Sequence, residues 1–168
     1  MPSTTRICIV GEKSVGKTSF INSSKGVNFT PNYIPTTSLS RKIHNTRYNQ
    51  KSSTTQYITL VDTCGDSSIF EITEPDDYDA VIIMFDLTNF DSFNTAVQKY
   101  TQIKEHFGEN IIILIIGNKT DLHNTEITGG DVRKYFKIST SSYFEVSNKY
   151  NINLTAPIEY IMKKLYPP

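Results

Sequence analysis

One stretch limits this chain more than any other: GEKSVGKT at residues 11–18, which fits the pattern G-x-x-x-x-G-K-S/T. The apolar run RICIV at 6–10 leads into it as a buried strand would, and residues 17–24 read as a short helix behind it. Strand, glycine turn and helix in that order make a backbone that curls around a polyphosphate. The glycines let successive N–H groups point inward, the helix start adds partial positive charge, and the Lys17 ammonium adds a full one. The Thr18 hydroxyl can ligate Mg2+. The bland alternative is a glycine turn that Lys-Thr happens to follow. At an average glycine usage of about 7%, such a match is rare by chance in a chain of this length.

Beyond the loop, apolar periodicity divides the chain into alternating units. Residues 38–45 and 56–61 alternate as strands, with NQKSST between them as a hairpin connection. Residues 80–85 (AVIIMF) and 111–116 (IIILII) are continuous apolar runs, as expected of strands covered on both faces. Between them, residues 92–107 set Phe93, Val97, Tyr100, Ile103 and Phe107 near helical spacing. Residues 129–136 form a weaker helical segment, 143–146 a last strand, and 154–165 a last helix with Ile158, Ile161, Met162 and Leu165 on one side. The alternation predicts an α/β fold with a mostly parallel sheet. No repeat, low-complexity tract or linker interrupts it, so residues 1–168 are expected to form one domain. A chain this long buries roughly 70% of its unfolded surface without needing staples.

Composition removes several classes of function. Seventeen Lys and Arg balance seventeen Asp and Glu, which argues against a nucleic-acid binder working through bulk charge. Only two cysteines occur, Cys8 and Cys64, so neither a disulfide framework nor a zinc site is expected, and a reducing compartment is. The N-terminus has no apolar stretch of signal-peptide length, and the longest apolar run is too short to span a bilayer.

Two further motifs carry chemistry. VDTCGD at 61–66 follows an apolar strand: Asp62 at the strand end can hold a metal-bound water, and Gly65 allows backbone approach to a terminal phosphate. NKTD at 118–121 follows IIILIIG. The Asp121 carboxylate can accept from the N1–H and exocyclic amine of guanine, a pairing adenine does not offer. Lys119 can lie along the base, and Asn118 can tie the two loops together. Alone, the D-x-x-G pattern is weak, since Asp and Gly are ordinary loop residues, and NKTD is moderately specific, its bland reading being a charged loop after a strand.

Together, in this order and spacing, the motifs resemble the small GTPase family of the Ras, Rab and Ran type over essentially the whole chain. The resemblance implies a P-loop NTPase G domain: a six-stranded, mostly parallel sheet with one antiparallel edge pairing and about five flanking helices. It implies GTP and GDP as ligands with Mg2+, the metal held by Thr18, Thr36 and Asp62. YIPT at 33–36 is similar to the family's first switch, in which Thr36 contacts the γ-phosphate, and Phe29 sits where the family places an aromatic across the guanine ring. Nucleotide contacts carry over to Gly11, Lys13, Ser14, Val15, Gly16, Lys17, Thr18 and Ser19 in the phosphate loop, and to Tyr33 and Gly65 in the switches. At the base they carry over to Asn118, Lys119, Asp121, Leu122, Ser147, Asn148 and Lys149. The last three resemble the family's S-A-K loop, with Asn148 for the usual Ala. Lys17, Thr36, Gly65 and Asp66 are the implied catalytic set. Effectors, exchange factors and GTPase-activating proteins are the implied partners, through the two switches.

Subfamily signals are mixed. YIPTT is similar to Rab, whereas the segment around NKTD and the last helix are closer to Ran. A cytoplasmic location is expected, or a nuclear one on the Ran reading. The sequence ends at Tyr166-Pro167-Pro168 with no cysteine, so no direct prenyl anchor is expected within it.

Two departures bear on catalysis. Asp66 stands where the family has Gln, whose amide orients the attacking water; a carboxylate offers acceptors only. Lys13 occupies a phosphate-loop position that is often Gly, where a long side chain obstructs a partner's arginine or supplies charge of its own. Pro75 and a short stretch before residue 85 further imply an altered second switch. Three readings follow: a GTP-hydrolysing switch, a GTP-binding interaction module with little hydrolysis, and an adenine-nucleotide enzyme for which NKTD is accidental.

Overall fold

Alternate side chains of a strand leave on opposite faces, and this chain's apolar runs are long enough to fill both. The computed structural model describes residues 4–31, 42–49, 55–65, 78–108, 110–138 and 140–167, with side chains throughout these except at 42–49, 55 and 140. In chain order the elements are β1 (Thr4–Gly11), α1 (Lys17–Ser24), β2 (Lys42–Asn49), β3 (Thr55–Asp62), β4 (Ala80–Asp86) and α2 (Phe90–Phe107). There follow β5 (Ile112–Asn118), α3 (Gly129–Phe136), a 3-10 turn (Thr140–Ser142), β6 (Tyr143–Val146) and α4 (Ala156–Leu165). The strands form one six-stranded sheet in the order β2-β3-β1-β4-β5-β6. Only the β2–β3 edge pair is antiparallel; the other four pairings are parallel. This is the expected α/β architecture, with four α-helices among the described residues where about five were expected.

Parity sorts the core. Ile7, Ile9, Ile58, Leu60, Ile82, Met84, Leu114 and Ile116 face α1 and α4, meeting Phe20 and Ile21 from the one and Ile158, Ile161 and Met162 from the other. Cys8, Val10, Val61, Val81, Ile83, Phe85 and Ile115 face α2 and α3, meeting Phe93, Ala96 and Ile103 on α2 and Val132 and Phe136 on α3. Every residue of β4 is buried, as its unbroken apolar run requires. Each fully buried Ile or Phe contributes about 1.5–3 kcal/mol, so two such layers hold the helices on both faces of the sheet.

Element ends differ from the sequence reading where hydrogen bonding, not apolar pattern, sets the limit. Of the strand expected over 38–45, residues 38–41 lie outside the described residues, and β2 continues past 45 to Asn49, because all eight residues from Lys42, opposite Asp62, to Asn49, opposite Thr55, pair with β3. The helix expected from residue 92 begins at Phe90, since the Asn89 side chain caps it by accepting from the Ser92 N–H at 3.0 Å. The last helix starts at Ala156, two residues after its expected beginning, with Pro157 in its first turn. Its buried face is the expected one.

β1 lies between β3 and β4: the chain leaves it through α1 toward the β2–β3 side, then passes from β3 to β4 on its other side, and such a reversal of strand order opens a crevice beyond the carboxyl ends of the strands. Gly11, Asp62, Asp86, Asn118 and Val146 end their respective strands along that same edge.

Candidate functional site

The phosphate loop is shaped by backbone that few side chains tolerate. Gly11 has φ +152, Ser14 φ +63 and Gly16 φ +99, so the chain reverses repeatedly before α1 begins. A Cβ on Gly11 would strike the carbonyl of Met84, and one on Gly16 would strike the side-chain nitrogens of Asn118 and Asn148. Gly16 caps α1 in the left-handed conformation without a side-chain cap bond. The N–H groups of this first turn point from the helix start toward the loop, the geometry in which a helix N-terminus receives an anion. Lys17 is buried and folds back, its Nζ donating to the carbonyls of Gly11 at 3.0 Å and Glu12 at 2.8 Å. Val15 is buried, Ser19 is half-buried and Lys13 is exposed.

At the end of β3, Thr18 Oγ1 donates to Asp62 Oδ2 at 2.5 Å. Asp62 is fully buried, and its Oδ1 has no hydrogen-bond partner. A buried carboxylate oxygen left unpaired carries a desolvation cost of about 1–3 kcal/mol or more. A hydroxyl beside such a carboxylate is the hard-oxygen set that suits Mg2+. Thr63, next along, is pinned by its hydroxyl to the Ile9 carbonyl at 2.8 Å. Gly65 then packs directly on the Lys13 main chain, where a Cβ would meet Lys13 N and Cα. The second switch thus begins in contact with the phosphate loop.

At the ends of β5 and β6 the other expected residues converge. Asn118 Nδ2 donates to the Val15 carbonyl at 2.8 Å, and Asn118 Oδ1 accepts from the Asn148 N–H at 3.3 Å. Asn118 does tie the loops, as expected. The Ser147 hydroxyl donates to Asp121 Oδ1 at 2.6 Å and accepts from the Tyr150 N–H at 3.2 Å. Ser147 and Asn148 are buried, Asp121 is half-buried, and Leu122 and Lys149 are exposed. Phe29 is half-buried in the irregular segment after α1. Tyr33, Thr36 and Asp66 lie outside the described residues, as do Pro75 and most of both switches.

Sequence reasoning missed two participants, Asp86 and Glu12, and one contact of Asn148. Asp86, ending β4, forms an ion pair with Lys119 at 2.6 Å while its other oxygen accepts from the Thr88 N–H and hydroxyl at 2.9 and 2.8 Å. The signal was present: an acid closing the run AVIIMF, as Asp62 closes β3. Glu12 has a buried Oε2 without a partner, and nothing in the sequence marks it. Asn148 gives a third bond that its departure from Ala only hinted at, with Nδ2 donating to the Gly16 carbonyl at 2.9 Å.

The arrangement strings a glycine-shaped loop with a buried lysine, a hydroxyl–carboxylate pair and the Ser147–Asp121 pair along one sheet edge. Several named proteins match the chain over most of its length. Ras-related protein Rab-3A of Homo sapiens is 31% identical over 160 residues, covering 94% of this chain and 71% of that protein. Ras-related protein Rab-3 of Caenorhabditis elegans is 30% identical over 161 residues, at 94% and 72% coverage. Rab-3C of Bos taurus is 29% identical over 160 residues, at 94% and 69%. The expected likeness to Ran gains no support from these relatives. The model of the Ras family matches residues 6–167, nearly the span from the first strand to the end of the last helix. With its phosphate loop, its strand-end acid and its base loop all falling inside that match, the chain belongs to the Ras family, as a Rab-like, GTP-binding small GTPase.

Proposed function

We propose that this chain is a guanine-nucleotide switch that binds GTP or GDP with Mg2+ and hydrolyses GTP slowly. One observation carries the reading. Asp121, its inner oxygen held by Ser147, and the Thr18–Asp62 pair lie at two ends of one strand-end crevice. In this reading the carboxylate of Asp121 accepts from guanine, with Lys119 and the loop from Ser147 to Lys149 beside the base and Phe29 across it. The phosphate-loop N–H groups and Lys17 bind the β- and γ-phosphates. Thr18, Thr36 and Asp62 hold Mg2+, which when bound neutralises charge on the phosphate oxygens. Tyr33, Thr36 and Gly65 order around the γ-phosphate and release when it is gone.

Hydrolysis requires a water held in line with the γ-phosphorus while the bond to the β-phosphate oxygen breaks, releasing orthophosphate and GDP. The Asp66 side chain has no N–H to help hold that water, and its charge opposes the negative charge of the phosphoryl group. Slow turnover follows. Residues 1–168 act as one domain, in the cytoplasm, without nucleic acid. Effectors, exchange factors and GTPase-activating proteins read the two switches, in trafficking or transport.

A second reading, a GTP-binding interaction module with little or no hydrolysis, is favoured by the contact of Gly65 with Lys13. There the second switch rests on a residue whose side chain obstructs an arginine from a partner. Competition of GTP and ATP for the purified chain, then single-turnover phosphate release with Mg2+, separates the readings. Preference for GTP with slow release supports the first, and preference without release supports the second. Equal binding of ATP refutes both.

A further inference from the structure

Two consecutive peptides of the phosphate loop are held from behind by asparagines of the base loops. Asn118 Nδ2 grips the carbonyl of Val15, and Asn148 Nδ2 grips the carbonyl of Gly16. The two asparagines are joined to each other through the Asn148 N–H and Asn118 Oδ1. Both are buried, and Gly16, at φ +99, is so close beneath them that a Cβ there would strike both amide nitrogens.

A peptide unit is planar and trans, so fixing its carbonyl fixes the N–H on the opposite side. Asn148 therefore sets the direction of the Lys17 N–H, one of the helix-start donors that no intrahelical carbonyl satisfies. The Gly16 carbonyl also accepts from the Phe20 N–H at 2.8 Å, the first bond of α1. One carbonyl thus joins the base loop, the helix start and the phosphate cradle. Because its partner is a carbonyl, Asn148 must present its nitrogen, and its Oδ1 is left buried without a partner. The loop around it is rigid. Ser147 and Ile152 exchange both backbone bonds at 3.2 and 2.9 Å, and Asn151 and Asn153 take left-handed turns on either side of Ile152.

We propose that Asn148 is a positioning residue that couples the guanine loop to the phosphate cradle, so that each half of a bound nucleotide orders the donors for the other and release is slowed. The inference rests on the guanine-nucleotide reading above. It adds a second strut to the one Asn118 provides.

The test uses Asn148→Ala, which removes the strut, and Asn148→Asp, which keeps the shape but turns the donor into an acceptor facing a carbonyl. Loss of one buried hydrogen bond should speed release of fluorescent GDP about fivefold to thirtyfold in Asn148→Ala, and further in Asn148→Asp. Affinity for guanosine, which has no phosphate, should fall much less than affinity for GDP. A residue that merely shapes the base loop would weaken both equally, and that result overturns the coupling. Unchanged GDP release in Asn148→Ala overturns it as well. Failure of the parent to retain GDP refutes the nucleotide reading instead. In that event the side-chain amide of Asn148, followed by NMR in the free chain, still decides the strut: slow hydrogen exchange supports it, and solvent-like exchange overturns it.

Discussion

Asp121→Asn is a sharp perturbation because the structure dictates how the new amide must sit. Asp121 Oδ1 accepts from the Ser147 hydroxyl at 2.6 Å, and that hydroxyl is itself fixed by the Tyr150 N–H. Ser147 is buried and needs an acceptor on this side. The replacement amide accordingly gives its oxygen to Ser147 and turns its NH2 outward, toward the base. Two guanine donors, the N1–H and the exocyclic amine, then meet a donor instead of a carboxylate oxygen. Each lost charge-assisted bond is worth about 1.5–3 kcal/mol, so the pair amounts to about 3–6 kcal/mol, or roughly 10²–10⁴ in Kd. Xanthine carries a carbonyl where guanine carries the amine, and the outward NH2 suits it. The assay is titration of fluorescent GDP and its xanthine counterpart with Mg2+, with thermal melting to show that the fold persists. GDP affinity within about threefold of the parent, or no gain for xanthine, would refute the argument. Adding Ser147→Ala provides an internal check: once the amide is free to rotate, the discrimination between the two bases should shrink.

Further outcomes follow from the same geometry. Gly16→Ala places a methyl against Asn118 and Asn148 at φ +99; backbone strain of about 1–2 kcal/mol plus two displaced hydrogen bonds of about 1 kcal/mol each should lower GDP affinity a few hundredfold by titration. Lys17→Ala removes the buried cation that the Gly11 and Glu12 carbonyls hold beside the loop, and triphosphate binding measured by calorimetry should fall at least about a hundredfold. Asp66→Gln restores an N–H for the attacking water, and single-turnover phosphate release should rise about tenfold to a hundredfold, from one orienting contact of about 1.5–3 kcal/mol. No rise, from a parent already fast, would show that the water is placed by another route.

The α/β alternation, the phosphate loop and the nature of the sheet were legible in the sequence because each is written in local pattern. Runs such as AVIIMF and IIILII can only be strands covered on both sides, and GEKSVGKT states its own turn through its glycines. Asn118 and Asp121 were legible as the NKTD motif that follows an apolar strand, whereas Ser147 was named only through the family resemblance. Strand ends were less legible, since β2 extends to Asn49 by pairing with the first residue of β3, Thr55, and the register runs between residues six to twenty apart.

What the tertiary structure alone decided is which polar groups meet. Asp86 and Lys119 are 33 residues apart, yet they pair because β4 and β5 run parallel in register, with Asp86 opposite Asn118. Asn148 reaches Gly16 across 132 positions of sequence because β6 ends, and α1 begins, at the same edge of the sheet. A residue's own neighbours in sequence set its local conformation and its tendency to be buried. Its hydrogen-bond partner is set by register, which depends on how every strand between the two has packed.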